Sequence, residues 1–363
     1  MISLRKTFVL SFVLSCSLWG NAQNEASKVV LITLDGLRWQ ELFTGADSLL
    51  ITNKEYVHDT TGLKQLFWKA TAKERRKALM PFVWTEVVRM GQIHGNRGSG
   101  NKVNLTNQMW FSYPGYNEIL TGAADDERID SNAKKNNPNM TVLELVHKTP
   151  RYSGKVAAFG SWDVFPFIIN EERSGIYVNA GFENATEDLS EREIFLNQLQ
   201  EQIPSPWGSV RLDAFTHHYA LEYMRKAHPD LVYIAYGETD DFAHEGDYEA
   251  YLKAAHNTDS MIQELWNFTQ KDPYYKNQTV FLVTTDHGRG TYPLETWRSH
   301  GAKIKGAGQV WFMAYGNGVL HKGEMQEEAQ LYSNQIAPTV AKLLGVGMSN
   351  RPLGGRPIKL SFK

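Results

Sequence analysis

Three apolar, strand-like runs of this 363-residue chain are each followed by acidic or histidine side chains. Buried parallel strands read as continuous Val, Ile and Leu runs, and ligands of open α/β sheets bind at the carboxyl ends of such strands. Carboxylate and imidazole groups that meet there are suited to a divalent metal. The runs are Val29–Leu34 before Asp35, Leu231–Tyr236 before Glu238 and Asp240, and Val280–Thr285 before Asp286 and His287.

Strand-like runs alternate with helical patterns along the chain, which predicts an α/β fold with a mostly parallel central sheet. We expect a three-layer sandwich in which residues 23–363 form one catalytic domain. The stretch 45–108 is rich in Trp, Lys and Asn, and part of it is expected to cover the strand ends as a cap-like insertion. We also predict a strand over 309–315 and a closing helix over 333–344.

The N-terminal segment has the features of a secretory signal peptide. Basic residues at 5–6 precede an apolar run over 7–19 and a small-residue stretch over 20–22. We predict a signal peptide over 1–22 and an exported protein, periplasmic or secreted, with no transmembrane segment in its mature part, because the apolar run is short for a membrane span. A lipoprotein anchored through Cys16 is the less favoured alternative.

Cysteine count and charge restrict the chemistry further. Cys16 is the only cysteine, so the mature chain would have no disulfide and no thiol ligand. A metal site must therefore use Asp, His and other oxygen donors. The formal net charge of -2 provides no bulk basic field, which argues against binding to a nucleic acid duplex or an anionic membrane.

Two short patterns are candidate metal ligands. Asp240 and His244 are four residues apart, a spacing that lets both reach one ion from a helical turn or a tight loop; Asp241 competes for the same role. Asp286 and His287 are adjacent and can serve one site only if the strand has ended before them, which the following glycine permits. Taken alone, these patterns fit a capping aspartate or a plain strand-to-loop turn about as well.

Ser112 is the candidate nucleophile. A serine hydroxyl is weak at neutral pH and needs activation, which binding to a dication provides by lowering its pKa, as it does for water. Ser112 lacks a Gly-x-Ser-x-Gly surrounding, which argues against an α/β-hydrolase. As isolated residues, Ser112 fits a turn before Tyr113-Pro114, Asp35 fits an Asp-Gly turn, and His300 carries little information.

The order and strand context of these motifs together resemble the alkaline phosphatase superfamily, most closely its type I phosphodiesterase/nucleotide pyrophosphatase branch. The similar segments extend over residues 29–345. They are Leu34–Arg38 for the opening motif, Ser112–Pro114 with Thr121–Gly122 for the nucleophile segment, Asp240–His244, Asp286–Gly288, His300–Gly301, and 335–345 for the closing helix.

The resemblance implies a centre with two divalent metal ions, zinc being favoured by the ligand types. It assigns Asp240, His244 and His300 to one ion, and Asp35, Asp286, His287 and the Ser112 oxygen to the other. It further implies that a phospho-enzyme forms on Ser112 and that water releases it. The expected activity is hydrolysis of a small phosphate ester, either a phosphodiester or pyrophosphate or a phosphomonoester.

The chain departs from the family pattern at several positions. Ala243 stands where the motif has glycine, and Gly115-Tyr116 stands where the diesterase branch has Asn-His. A loop asparagine of the family usually donates to a phosphate oxygen; Asn132 is the best candidate for this role, with Asn136 and Asn137 as rivals. The chain has no convincing Lys-x-Arg pair like that of one monoesterase subgroup, which slightly favours a diester.

Three other functions remain open from the sequence. A sulfatase-like hydrolase retains the serine and proline of Ser112–Tyr116, but this segment lacks the arginine of the sulfatase motif, and the histidines favour zinc over calcium. A phosphoglycerate-mutase-like role is disfavoured by the export signal. An exported glycan- or nutrient-binding protein would use its tryptophans for stacking, although aromatic residues more often pack a core. The oligomeric state is left open.

Overall fold

The computed structural model describes residues 28–347 and 354–360. The predicted signal peptide over 1–22 and Cys16 lie outside these residues. Among the helices of the described part, none is both long and apolar enough to cross a membrane.

Eleven β-strands lie in the described part of the chain and form two sheets. They are β1 (Lys28–Leu34), β2 (Gly91–His94), β3 (Asn101–Asn104), β4 (Val156–Gly160), β5 (Tyr177–Ala180), β6 (Leu231–Tyr236), β7 (Thr279–Thr284), β8 (Gln309–Val310), β9 (Phe312–Gly316), β10 (Gly323–Glu324) and β11 (Ala329–Tyr332). The main sheet has eight strands in the order β10-β2-β9-β7-β1-β6-β4-β5, and β11-β3-β8 form a small sheet.

The central part of the main sheet is parallel. Strands β7, β1, β6, β4 and β5 pair in parallel with one another, whereas β9 is antiparallel to β7 and β2. Every residue of β1, β6 and β7 is buried, as expected for parallel strands that are covered on both faces. The carboxyl ends of these three strands therefore lie side by side at one edge of the sheet.

Helices cover both faces of the main sheet. Val30 and Ile32 of β1 belong to one hydrophobic cluster, and Val29 and Leu31 belong to a second cluster, because successive side chains of a strand point to opposite faces. This arrangement confirms the predicted α/β sandwich. The α-helices of the described residues are α1 (Trp39–Thr44), α2 (Thr60–Phe67), α3 (Ala72–Leu79), α4 (Val88–Met90), α5 (Ser112–Thr121), α6 (Val142–His147), α7 (Phe165–Ile169), α8 (Glu171–Ser174), α9 (Glu191–Gln202), α10 (Asp213–Ala227), α11 (Glu238–Glu245), α12 (Tyr248–Lys271) and α13 (Ile336–Leu343).

The segment 45–108 contributes to both sheets and to the core. It supplies β2 to the main sheet and β3 to the small sheet. Leu63, Phe67 and Val83 from its helical parts belong to the same hydrophobic cluster as Ile32 of β1. The boundaries of the catalytic domain and of a cap within this segment stay a prediction.

The predicted single strand over 309–315 is wrong. The chain forms two strands that belong to different sheets, β8 in the small sheet and β9 in the main sheet. Trp311 separates them; its side chain is fully buried, and its Nε1 donates a hydrogen bond of 2.8 Å to the Leu37 carbonyl oxygen. The buried Trp311 side chain therefore lies at the point where the chain passes from the small sheet to the main sheet. The closing helix α13 begins at Ile336, later than the predicted start at 333.

Candidate metal centre

The predicted metal ligands lie at the edge of the main sheet where β1, β6 and β7 end. Asp35 directly follows β1. Strand β7 ends at Thr284, so Asp286 and His287 are outside the strand and both can face one site. Helix α11 begins two residues after β6, and it places Asp240 and His244 one turn apart.

Asp35, Asp286 and His287 form what we call the inner cluster. All three side chains are buried, and His287 Nε2 lies 3.2 Å from Asp35 Oδ1 and 3.4 Å from Asp286 Oδ2. The remaining oxygens are engaged: Asp35 Oδ2 accepts a hydrogen bond from the Tyr116 hydroxyl at 2.8 Å, and Asp286 Oδ1 accepts one from the Gly36 N–H at 3.0 Å. The two oxygens that face His287 have no hydrogen-bond partner among the described residues. Buried oxygens left in this way are costly, and a bound cation would satisfy them.

The electrostatics of the inner cluster favour a positive ion. Burial raises the pKa of Asp35 well above its usual range, and the charge of Asp240 adds to the effect. Burial and the charge of Asp35 do the same for the pKa of Asp286. His287 Nδ1 lies 2.9 Å from the Gly288 carbonyl oxygen, a contact that places the proton on Nδ1 and leaves Nε2 free to bind a metal.

Asp240, His244 and His300 form the outer cluster. His244 Nε2 lies 3.1 Å from Asp240 Oδ2 and 2.9 Å from His300 Nε2, and His300 Nε2 lies 3.7 Å from Asp240 Oδ1. Two ligand atoms on one tetrahedral zinc ion lie about 3.3 Å apart, so these separations suit a shared ion. The His244 side chain is 46% exposed and that of His300 is 12% exposed, so solvent reaches this cluster from the His244 side.

The two clusters adjoin each other and the candidate nucleophile. His287 Nε2 is 3.6 Å from Asp240 Oδ1, and the rings of His287 and His300 have centroids 4.0 Å apart. Ser112, the first residue of α5, is buried, and its Oγ is 3.4 Å from His287 Nε2. The structure thus brings together all seven residues that the sequence singled out as metal ligands; their roles stay predictions.

The contacts separate the three candidate asparagines. Asn132 Oδ1 accepts a hydrogen bond of 3.0 Å from the backbone N–H of Tyr113, the residue next to Ser112. Asn136 donates to Glu172 at the surface. Asn137 is buried, and its amide donates to Asn117 and to the backbone of α7. Of the three, Asn132 is the one at the start of the helix that carries Ser112.

Arg289 is a site residue that the sequence reasoning missed. This buried side chain donates from Nη2 to the Asp240 carbonyl oxygen at 3.0 Å and also contacts Asp240 Oδ1. Burial raises the pKa of Asp240, but the charges of Arg289, His300 and His244 outweigh it and hold the pKa well below its usual range. Burial raises the pKa of neighbouring Asp241 to about 8. The contacts to His244 and His300 come from Asp240; its choice over Asp241 as the metal ligand stays a prediction.

Two glycines permit close approaches within the centre. Gly36 has φ +61°, and a Cβ there would lie 2.7 Å from Asp240 Oδ1. A Cβ on Gly115 would lie 2.3 Å from the Asp286 carbonyl oxygen, so α5 rests directly on the loop after β7. Gly115 and Tyr116 therefore join α5 to the inner cluster. They are the pair at which the chain departs from the family pattern. Neither contact is indicated by a local sequence pattern.

Comparisons with known proteins match parts of the chain to a protein family and to curated relatives. The model of a family described as the Metalloenzyme superfamily matches residues 177–348, just under half of the chain. The 2,3-bisphosphoglycerate-independent phosphoglycerate mutase of Helicobacter pylori is 28% identical over 128 residues, which are 35% of this chain and 23% of the mutase. The mutase of Ureaplasma urealyticum is 27% identical over 120 residues, 32% of this chain and 21% of that protein. The chain thus matches less than a quarter of the length of these relatives.

Solved structures show the same fold. The alkaline phosphatase PafA has a TM-score of 0.61 at 10% identity, with 93% of this chain and 99% of that chain covered. The phosphonate monoester hydrolase of Silicibacter pomeroyi has a TM-score of 0.57 at 13% identity, covering 92% and 76%. A 2-O GAG sulfatase, BT1596, has a TM-score of 0.54 at 12% identity, covering 92% and 74%.

The family match over just under half of the chain and the fold shared with the structural neighbours support the predicted alkaline-phosphatase-like superfamily. Within it, the phosphodiesterase/nucleotide pyrophosphatase branch stays a prediction. The match also supports the use of divalent metal, as do two groups that share His287 and whose ligand atoms lie within 4.8 Å of one another: Asp35, Asp286 and His287, and Asp240, His287 and His300. The identity and number of the ions stay predictions.

Proposed function

We propose that this chain is an exported hydrolase of small phosphoric esters that uses two divalent metals and Ser112 as its nucleophile. The observation that carries the proposal is the position of Ser112 Oγ, 3.4 Å from His287 Nε2, beside two adjoining clusters of metal-ligating side chains. Support also comes from the superfamily match, which includes the segment with Asp240, His244, Asp286, His287 and His300.

The donor set fits two ions. The inner cluster with the Ser112 oxygen would hold one, and the outer cluster would hold the other; imidazole and carboxylate donors favour zinc. Bound zinc would offset negative charge on the phosphoryl oxygens and lower the pKa of the Ser112 hydroxyl.

The residues around Ser112 suit an anionic substrate. Ser112 occupies the first position of α5, where the helix dipole favours negative charge. Asn132 engages the Tyr113 N–H through its side-chain oxygen. Its amide NH2 group is therefore the part that would donate to a non-bridging phosphate oxygen.

The proposed reaction has two displacements. In the first, the Ser112 hydroxyl gives up its proton to solvent, an Oγ–P bond forms and the bond from phosphorus to the leaving-group oxygen breaks. In the second, water attacks phosphorus, the Oγ–P bond breaks and the serine oxygen takes up a proton. The products are the free alcohol, or a phosphate, and the remaining phosphate species.

Phosphodiesters and pyrophosphates are our first choice of substrate, followed by phosphomonoesters. Sulfate-ester hydrolysis is the second candidate, because a 2-O GAG sulfatase shares the fold. A panel of nitrophenyl phosphate, bis(nitrophenyl) phosphate and nitrophenyl sulfate on zinc-loaded protein separates these activities. Intact mass adds an independent readout, since a sulfatase-type modification would change the mass of the Ser112 peptide.

The nucleophile assignment is tested by Ser112→Ala. Hydrolysis of the best phosphate ester should fall by about 10³-fold or more, because the first displacement loses its nucleophile, while metal content is retained. Ser260→Ala is the matched control, since Ser260 is exposed on α12. Unchanged turnover in Ser112→Ala contradicts the role. A wild-type protein that binds ligand but holds no metal and hydrolyses none of the panel would favour the exported binding protein instead.

A further inference from the structure

A third group of metal-ligating side chains lies outside the inner and outer clusters, where α10 faces α12. His217 and His218 on α10 and Glu264 on α12 each offer one ligand atom, and these atoms lie within 4.8 Å of one another. We propose that His217, His218 and Glu264 form a separate zinc-binding site, which we call the lateral site. None of these three residues takes part in the ester hydrolysis proposed above.

The geometry of the closest pair suits a shared ion. His217 Nε2 and Glu264 Oε2 are 3.1 Å apart, close to the separation of about 3.3 Å expected for two ligands of one tetrahedral zinc ion. Two imidazoles and one carboxylate are donors that zinc accepts, and water can complete the fourth position. The Glu264 side chain is 48% exposed whereas that of His217 is 1% exposed, so an ion can enter from solvent and reach a buried nitrogen.

His217 is already oriented as a metal ligand would be. Its Nδ1 lies 3.0 Å from the Tyr236 hydroxyl, while its Nε2 faces Glu264. Metal-bound histidines almost always use their second nitrogen for a hydrogen bond of this kind, which fixes the ring. Tyr236 is the last residue of β6, so the lateral site is tied to the sheet through this contact.

His218 supplies a second, independent observation. Its Nδ1 is buried and has no hydrogen-bond partner among the described residues. Hydrogen bonding therefore does not account for the placement of this ring. Burial also lowers the pKa of His218, with a further effect of His217, and the neutral imidazole is the form that binds metal.

The positive charges near the lateral site are partly offset by Glu222. Arg192 and Arg225 are the arginines that act on His218. Both approach Glu222, at Nε–Oε1 distances of 2.9 Å and 3.5 Å. An ion bound here would link α10 to α12, and because it binds the folded state it would stabilise the protein against unfolding.

Zinc content at equilibrium tests the proposal. The full chain is dialysed against buffer with a fixed micromolar concentration of free Zn²⁺, and zinc per chain is measured by mass spectrometry. His218→Ala and Glu264→Gln should each bind one zinc fewer than the wild type, whatever number the catalytic centre holds. His321→Ala, which removes an exposed histidine elsewhere, should match the wild type. Equal zinc content in all four proteins would overturn the lateral site.

Two further measurements protect this result. The melting temperature of the metal-free variants reports whether they fold. Because Glu264 is exposed, Glu264→Gln should keep the melting temperature of the metal-free wild type. Added zinc should then raise the melting temperature less in Glu264→Gln than in the wild type. Ester hydrolysis should be unchanged in both lateral variants. Ser112→Ala should lose hydrolysis yet keep the lateral zinc, so failure of the lateral site and failure of the proposed function give different outcomes.

Discussion

The inner and outer clusters use the same kinds of side chain in different surroundings. Asp35, Asp286 and His287 are all buried and follow the ends of two central strands. In the outer cluster, His244 is 46% exposed, and Asp240 is held by the buried Arg289. The inner cluster is thus a closed group of carboxylates that needs a cation, whereas the outer cluster is open and its aspartate already faces a positive charge.

This difference predicts unequal metal affinity. Asp35 Oδ1 and Asp286 Oδ2 gain most from an ion, because they are buried and no hydrogen-bond donor of the described residues reaches them. The charge of Arg289 stabilises ionised Asp240 without a metal. An ion in the outer cluster therefore has less uncompensated negative charge to neutralise. We expect the outer ion to leave first when chelator is added.

The largest expected effect is that of Asp286→Asn in the inner cluster. The change keeps the shape of the side chain but removes the charge from a fully buried ligand. Hydrolysis of the best phosphate ester should fall by about 10⁴-fold, with loss of one metal ion per chain. The measurements are steady-state kinetics and metal analysis. A variant with wild-type metal content and rate would contradict the inner ligand set.

A smaller loss is expected for His244→Ala in the outer cluster. Water can occupy the vacated position on the solvent side, so hydrolysis should fall by about 10²-fold and recover in part when excess zinc is added. Titration of activity with zinc measures both effects. If His244→Ala is as inactive as Asp286→Asn at saturating zinc, the clusters do not differ as proposed.

Gly36→Ala should disturb the contact between the two clusters. Gly36 has φ +61°, and an added Cβ would lie 2.7 Å from Asp240 Oδ1. Backbone strain and this clash together should lower the free energy of unfolding by about 2–3 kcal/mol. Gly154→Ala is the matched control, since Gly154 has φ +71° with no atom within 4 Å of an added Cβ, and it should cost only about 1 kcal/mol. The unfolding free energies are measured by urea unfolding. Equal losses in the two variants would show that Gly36 is needed only for its backbone conformation and not for its close approach to Asp240.

A pH dependence of the metal-free protein is also expected. Asp35 and Asp286 have pKa values raised above 3.8, the ordinary value that they take in the unfolded chain. Above that pH the unfolded state loses protons that the native state keeps, so stability falls as pH rises, by up to about 1.4 kcal/mol per pH unit for each carboxyl. Urea unfolding in chelator at pH values from about 4 upward measures this slope. Asp286→Asn should reduce the slope of unfolding free energy against pH, and His244→Ala should leave it unchanged. A slope reduced in His244→Ala but unchanged in Asp286→Asn would contradict the proposed difference between the inner and outer clusters.

The parts of the fold and centre that follow from local patterns could be predicted from the sequence. Strands β1, β6 and β7 are apolar runs whose ends are marked by the ligands themselves, and parallel pairing then places Asp35, Asp240 and Asp286 at one edge. His300 was assigned by resemblance, since its own sequence surroundings are uninformative. Its position beside His244 depends on the loop after β7, which no periodic pattern describes.

Features that depend on distant contacts could not be predicted. Trp311 divides the predicted strand because it is anchored under Leu37, far away in the sequence. Arg289 is indistinguishable in the sequence from a surface arginine, yet it is buried against Asp240. The contacts of Asp240 with His244 and His300 likewise depend on the direction of α11 relative to the loop that carries His300.

The contacts of Gly115 and Tyr116 have a mechanical consequence. Helix α5, which begins with Ser112, contacts the inner cluster in two ways. Gly115 closely approaches the backbone of Asp286, and the Tyr116 hydroxyl donates a hydrogen bond to the Asp35 carboxylate. We therefore expect Ser112 and the inner cluster to shift together. In the hydrolase proposed above, leaving groups of different size would then be accommodated on the solvent-exposed side of the centre, near His244.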